Sequence, residues 1–271
     1  KLASQSTTFA SLEPVAYPLS RTMRFRESNL ETLDLVSGPR NLDGVVLNRK
    51  GEVAALWSSF AWQGAGDLRQ ENRGMPVEYV REMLDAVDTG GALRSLEVEW
   101  SQLPLATARR LGLDDDWALR IGDHDPERQR ILSVTRTVAG SPAAGAFQPG
   151  DLLLTIDGEP ATRFREVEIR VQKPAVTVQV LRDGAVLSLD VATVALDGSG
   201  VRRVVMWAGA LLQAPYRDMA AQRAVEPVGV YVSYFAFGSP ASRYGLYAGR
   251  RITQVDGVAV ANLDEFLAIV R

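Results

Sequence analysis

A single histidine, His124, stands among acids in Gly122-Asp123-His124-Asp125-Pro126-Glu127-Arg128. An imidazole between carboxylates can act as a general base or as a pH-sensitive switch. The simpler reading is a solvated loop histidine. Ser37, in Ser37-Gly38-Pro39, carries a hydroxyl that a base could activate, and is otherwise a plain loop serine. Asp114-Asp115-Asp116 would suit a divalent cation. The same carboxylates also suit the positive end of a helix dipole, and Trp117, Leu119 and Ile121 follow them. Gly64-Ala65-Gly66-Asp67 is too sparse for a phosphate loop, and no lysine-serine pair follows it. Trp57, Trp62, Trp100 and Trp207 read as packing residues rather than a ligand cage. With no cysteine and one histidine, neither a disulfide nor a structural zinc site is expected, and no cofactor, metal or catalytic residue is assigned.

The elements that must position any site come from a repeat. Gly140-Ser141-Pro142-Ala143, Pro149-Gly150-Asp151, Ile156-Asp157-Gly158 and Phe164-x-x-Val167 recur as Gly238-Ser239-Pro240-Ala241, Ala248-Gly249-Arg250, Val255-Asp256-Gly257 and Leu263-x-x-Phe266. Two similar modules in tandem follow from that order. Within each copy, Gly-Ser-Pro-Ala is expected to end a strand, because proline cannot continue a ladder. Gly150 and Gly249 allow turns with positive φ. Residues 152–156 and 251–255 read as strands, and Asp157-Gly158 and Asp256-Gly257 as hairpin turns. Phe164, Val167 and Val171, and then Leu263, Phe266, Leu267 and Val270, fall at helical spacing.

The first copy closes with a hairpin, residues 176–181 and 186–191 about Asp183-Gly184. The second copy has no counterpart to it, so it is expected to stop about two strands short. Upstream, residues 42–57 read as strand, polar turn at Asn48 to Gly51, and strand. Val80, Met83, Leu84 and Val87 then fall on one helical face. Boundaries are expected at Asp88-Thr89-Gly90-Gly91 and at Asp197-Gly198-Ser199-Gly200.

Gly-Ser-Pro-Ala-Ala, Gln-Pro-Gly-Asp, Leu-Thr-Ile-Asp-Gly and Val-Leu-Arg-Asp-Gly (180–184) resemble the PDZ domains of HtrA/Deg serine proteases. Leu111 to Trp117, Arg163 to Glu168, Trp207 to Pro215 and Gly238 to Leu246 resemble the C-terminal half of double-length members, yeast nuclear and bacterial. The resemblance implies a mainly β fold with short helices: a partial, degenerate trypsin-like second β-barrel over 1–88, a first PDZ-like domain over 92–196, and a second, incomplete one over 201–271. It places the first barrel, and the catalytic histidine, upstream. The family's nucleophile loop reads Gly-Asn-Ser-Gly-Gly-Pro. Here Leu42 falls at the serine, or Asp43 with a shift of one residue, and neither has a hydroxyl. Ser37 lies too far upstream unless the loop is remodelled. This chain alone is therefore not expected to cut peptides. Bacterial relatives imply the cell envelope and the yeast relative a nucleus.

PDZ-like modules bind an extended peptide as an added strand, with a glycine-containing loop, the strand after it and a facing helix. In the second module the expected site is Gly229, Val230, Tyr231 and Val232 against Leu263, Phe266 and Leu267. Core filling explains the same residues equally well. In the first, Ile131, Leu132, Ser133 and Val134 face Phe164 and Val167, but no glycine loop precedes them. A C-terminus held by Arg128 or Arg130, an internal segment, or a neighbouring domain's loop are open as guests. The implied partners are polypeptides, an upstream protease domain and a possible second copy of the chain. A net charge of −3 speaks against nucleic acid, and no run of residues is long and apolar enough for a membrane span. The function implied is substrate recognition and regulation in protein quality control. The alternatives are an assembly module, or a hydrolase with a displaced nucleophile.

Overall fold

A computed structural model of the protein describes residues 4–15, 29–40, 42–64, 67–196, 201–217, 219–220 and 225–270. The fold is mainly β with short helices, organised around three main antiparallel sheets. The first sheet holds β1 (Thr8–Pro14), β2 (Glu31–Val36), β3 (Gly44–Leu47), β4 (Val53–Gly64) and β5 (Asp67–Pro76), in spatial order 1-2-5-4-3. Asn48 shapes the β3–β4 turn: its side-chain oxygen accepts from the Lys50 and Glu52 amides at 2.9 and 3.0 Å. Gly51 completes that turn at φ 81°. Pro76 precedes α1 (Val77–Thr89), and Gly90, left-handed at φ 64°, ends it. The expected helix forms, but none of its residues is buried, and Met83, Leu84 and Val87 stay exposed.

The second sheet holds β7 (Val98–Pro104), β8 (Arg130–Thr137), β9 (Leu152–Ile156), β11 (Ala175–Arg182) and β12 (Ala185–Ala192), in spatial order 12-11-9-8-7. The short β10 (Glu159–Pro160) pairs with β9. Every residue of β9 is buried, as a strand covered on both faces must be. One face packs Val98, Trp100, Leu132, Val134 and Leu153 against α4 (Pro142–Ala146) and α5 (Phe164–Arg170). The other packs Ile131, Leu152 and Leu154 under α2 (Leu105–Arg110) and α3 (Asp115–His124). Asp114 caps α3 by accepting from the Trp117 amide at 2.8 Å, and Asp115 and Asp116 lie in the first turn. Strands β6 (Leu93–Ser95) and β13 (Val194–Leu196) pair, joining the two ends of this body.

The third sheet runs β14 (Val204–Trp207), β15 (Ala210–Gln213), β16 (Val230–Phe235) and β17 (Arg251–Ile252). Beside it lie α6 (Pro240–Arg243), the hairpin β18 (Gln254–Val255) and β19 (Val258–Ala259), and α7 (Leu263–Val270). The repeat is structural as well as sequential. Ser141 and Ser239 each cap a one-turn helix that starts with proline. So Gly-Ser-Pro-Ala opens a helix rather than closing a strand. The Gly150 amide donates to the Val134 carbonyl and the Gly249 amide to the Val232 carbonyl, both at 2.8 Å. Asp157-Gly158 and Asp256-Gly257 turn with nearly the same positive φ values. Where one strand was expected at 251–255, the chain breaks into β17 and β18. The expected linker at 197–200 lies outside the described residues.

Candidate functional site

An added strand needs a free hydrogen-bonding edge. Residues 131–134 do not have one. They pair with β7 on one side, Trp100↔Val134 to Leu103↔Ile131, and with β9 on the other through Ser133↔Leu152. Ile131, Leu132, Ser133 and Val134 are all buried, so their expected role as a docking strand is corrected: they are the middle of the sheet. Val230, Tyr231 and Val232 fail for the same reason. They lie between β15 and β17, and the Val232 amide donates to the Arg250 carbonyl at 2.9 Å. The Gly229 amide donates to the Ala261 carbonyl at 2.7 Å, so it is not offered to a carboxylate. A Cβ there would stand 2.7 Å from the Ile252 carbonyl, so its glycine serves close approach of backbone. Phe164, Val167, Leu263 and Phe266 are buried in their cores, and Leu267 packs against the second. Core filling, one of the two readings of the second module, accounts for them.

The edge that sequence reasoning missed is β7, the outermost strand of its sheet. Its residues Val98 and Trp100 share a core with Phe164, Val167 and Val171 at α5, so strand and helix are set side by side. Among the described residues, what meets this edge is not another strand. Asn29, held left-handed at φ 54°, places its side-chain amide there. Its Nδ2 donates to the Val98 carbonyl at 2.7 Å, and its Oδ1 accepts from the Trp100 amide at 2.9 Å. Two residues on, the Glu31 carboxylate is buried between Gln102 Nε2, at 3.4 Å, and Arg163 Nη2, at 3.0 Å. Burial works against the charge on Arg163, but Glu31 outweighs it and holds the guanidinium above its ordinary value. Arg165, two residues further on, pairs with Glu82 of α1 and lies over the Tyr79 ring at 5.2 Å. Burial pushes the Tyr79 phenol up to about 12. A cavity of about 320 Å³ lies here, lined by Leu12, Leu33, Tyr79, Arg163 and Arg165 among others.

In the second body the corresponding edge belongs to β15, and β14 covers it from Val204↔Gln213 to Trp207↔Ala210. Ala208 and Gly209 turn this hairpin with φ of 51° and 86°. Trp207 meets Phe266 of α7 edge to face at 5.3 Å, and Arg203 pairs with Asp264 at 2.6 Å.

The catalytic candidates are scattered. Ser37 stands in a turn at φ 55°, its carbonyl accepting from Gln5. Leu42 is exposed, and Asp43 accepts from Ser58 at 3.1 Å. His124 is not a loop residue but the last residue of α3, 2.9 Å from Glu166 Oε1. Burial alone would raise Glu166, but bonds from the Thr162 amide, His124 and the Arg163 amide hold it below the ordinary carboxylate value. That pair ties α3 to α5, which gives the only histidine a structural partner. Among the described residues no cluster of histidine, aspartate and glutamate is arranged to hold a metal ion, and no helix is long and apolar enough to cross a membrane.

The chain is 32% identical over 274 residues to Protease Do-like 7 of Arabidopsis thaliana, covering 90% of this chain and 25% of that protein. It is 28% identical to the pro-apoptotic serine protease nma111 of Aspergillus niger, over 98% of this chain and 27% of the relative. The chain is HtrA/Deg-like. A PDZ domain-containing protein of Schizosaccharomyces pombe is 30% identical over all of this HtrA-like chain and 28% of its own length. The HtrA-like chain thus spans about a quarter of the length of the curated relatives it matches. No family model matches it. The solved HtrA-type protease AlgW with decapeptide aligns at a TM-score of 0.38 and 21% identity, over 62% of this chain and 49% of AlgW. AlgW with tripeptide gives 0.38 and 19%, over 67% and 69%.

Proposed function

We propose that this chain is the non-catalytic, peptide-recognising and regulatory segment of an HtrA-like serine endopeptidase acting in protein quality control. Residues 1–88 are read as a degenerate trypsin-like barrel, 92–196 as a first PDZ-like module and 201–271 as a second. One observation carries the reading. The outermost strand β7 runs beside α5, and among the described residues its outward groups are met by a side chain rather than by a strand. An extended polypeptide added there would gain main-chain hydrogen bonds from β7 beside α5. The site proposed is therefore Val98, Trp100, Gln102 and Arg163, in place of residues 131–134. Its guests are polypeptide segments, handed on to a protease domain upstream.

Titration of extended peptides against the chain, with amide exchange to locate them, tests this. Micromolar binding that protects the β7 amides is the expected result. Binding that protects other strands, or none from any peptide, would overturn it.

A second reading, an assembly module, draws on α1. Its apolar residues Met83, Leu84 and Val87 are uncovered, the pattern of a face that meets another surface. Sedimentation of the unchanged chain and of Met83→Glu separates the two. Assembly through α1 predicts loss of the larger species in Met83→Glu with peptide binding unchanged.

A further inference from the structure

We propose that residues 29–31 are an internal ligand of the groove between β7 and α5, and that this groove selects an extended segment carrying an acidic side chain between Gln102 and Arg163. The proposal builds on the peptide-binding reading of β7 and names what that site takes.

A primary amide has one acceptor and two donors, so Asn29 can imitate the donor and acceptor that a peptide unit of an added strand would offer. It does so at two alternate residues of β7, Val98 and Trp100. The Trp100 amide has a single hydrogen. A guest strand and Asn29 therefore exclude each other. Glu31 follows by two residues as the first residue of β2, and its carboxylate is the chemistry read by Gln102 and Arg163. Arg163 has capacity to spare: its Nε is buried and without an acceptor among the described residues. A neutral guest side chain would leave that guanidinium uncompensated, and a lysine would repel it. Asn29 lies two residues before β2 and Glu31 opens it, so one short segment carries both groups. While they occupy the groove, apparent affinity for any outside segment is lowered by the fraction of molecules that are open.

The test uses the whole chain and two eight-residue peptides of extended, apolar character, identical but for one central glutamate or lysine. Asn29→Ala removes the plug, and its melting transition shows whether it folds. The glutamate peptide should bind Asn29→Ala about tenfold more tightly than the unchanged protein, and more tightly than the lysine peptide does. Arg163→Gln should erase the preference. Trp100 amide exchange, measured without peptide, should quicken in Asn29→Ala. Equal affinity in both proteins, or no choice between the peptides, overturns the internal ligand while leaving strand addition at β7 standing. Binding of neither peptide to either protein removes both.

Discussion

Strands β7 and β15 hold the same place in the two copies. Trp100 pairs with Val134, and Leu212 pairs with Val232, each just past an irregularity in the ladder. Their outer edges are closed in different ways. The first is met by one asparagine side chain and a carboxylate from 70 or so residues upstream. The second is met by the strand immediately before it, through a four-residue ladder with Trp207 locked on Phe266. Side-chain hydrogen bonds contribute about 1 kcal/mol each and can break one at a time. A hairpin strand leaves only when its sheet opens locally. Chemically alike edges thus differ in exchangeability. The first cover can be traded for a guest, whereas the second is part of its own core.

The sharpest way to break this comparison is at Gly209. Its φ of 86° is costly for any other residue, and an added Cβ would stand 2.2 Å from Ser239 Cβ. Gly209→Ala is expected to destabilise the second body by about 3 kcal/mol, from backbone strain and overpacking together. Urea unfolding should show that loss, with peptide binding at β7 unchanged. A loss below 1 kcal/mol would mean that the β14 hairpin is no firmer than the Asn29 plug. Next in size is Glu31→Ala. It leaves Arg163 without its acid in a largely buried setting, and roughly 2 kcal/mol is expected, less than for a fully buried pair because Arg163 is 30% exposed. Thermal melts of the double variant with Arg163→Met should recover part of it.

How much of this was legible beforehand follows from how local each signal is. The repeat was legible because its parts are local motifs such as the aspartate-glycine turn, although Gly-Ser-Pro-Ala reads as a strand end and is in fact a capped helix start. Helix periodicity likewise marked Phe164 and Val167 as one face. The docking strand was misplaced because edge position depends on the order of strands, which no short window carries. Residues 131–134 are an apolar run because they lie in the interior of the sheet. That apolarity argued against an edge rather than for one. Ala208-Gly209 between Val204 to Trp207 and Ala210 to Gln213 was a readable hairpin signal that would have revealed the covered second edge. Nothing local marks Asn29, whose partners lie 69 and 71 residues away. Likewise His124 read as a loop residue because its partner Glu166 is 42 residues on.

A third prediction sharpens the comparison by acid. Glu166 caps the start of α5 in the first body through the Thr162 and Arg163 amides, and so sets the helix that carries Arg163. The second body has a like device in Glu265, bonded to the Ala261 amide, but no histidine joins it. The folded-state value of Glu166 is lowered from 4.5. Its contribution is therefore complete above that value and is lost as pH falls through the lower folded one. About 1 kcal/mol should separate the unchanged protein from Glu166→Gln at pH 6, with the gap shrinking below pH 4. A gap that stays constant with pH would remove the carboxylate from the account.

The smallest effect belongs to α1. If Met83 and Val87 pack on nothing within this chain, a charge placed there costs little. Met83→Glu and Val87→Glu should each stay within about 0.5 kcal/mol of the unchanged protein in urea. Leu33 and Ala54, on the inner side of the same layer, line the cavity instead, and charges there should cost far more. The contrast matters because α1 also carries Tyr79 and Glu82, which hold Arg165. One side of α1 thus fastens the first sheet to α5, while the other is open. The open side is the one the assembly reading would use. A large loss of stability from Met83→Glu would show instead that this face is already in use inside the chain, and would leave no surface through which a partner could act.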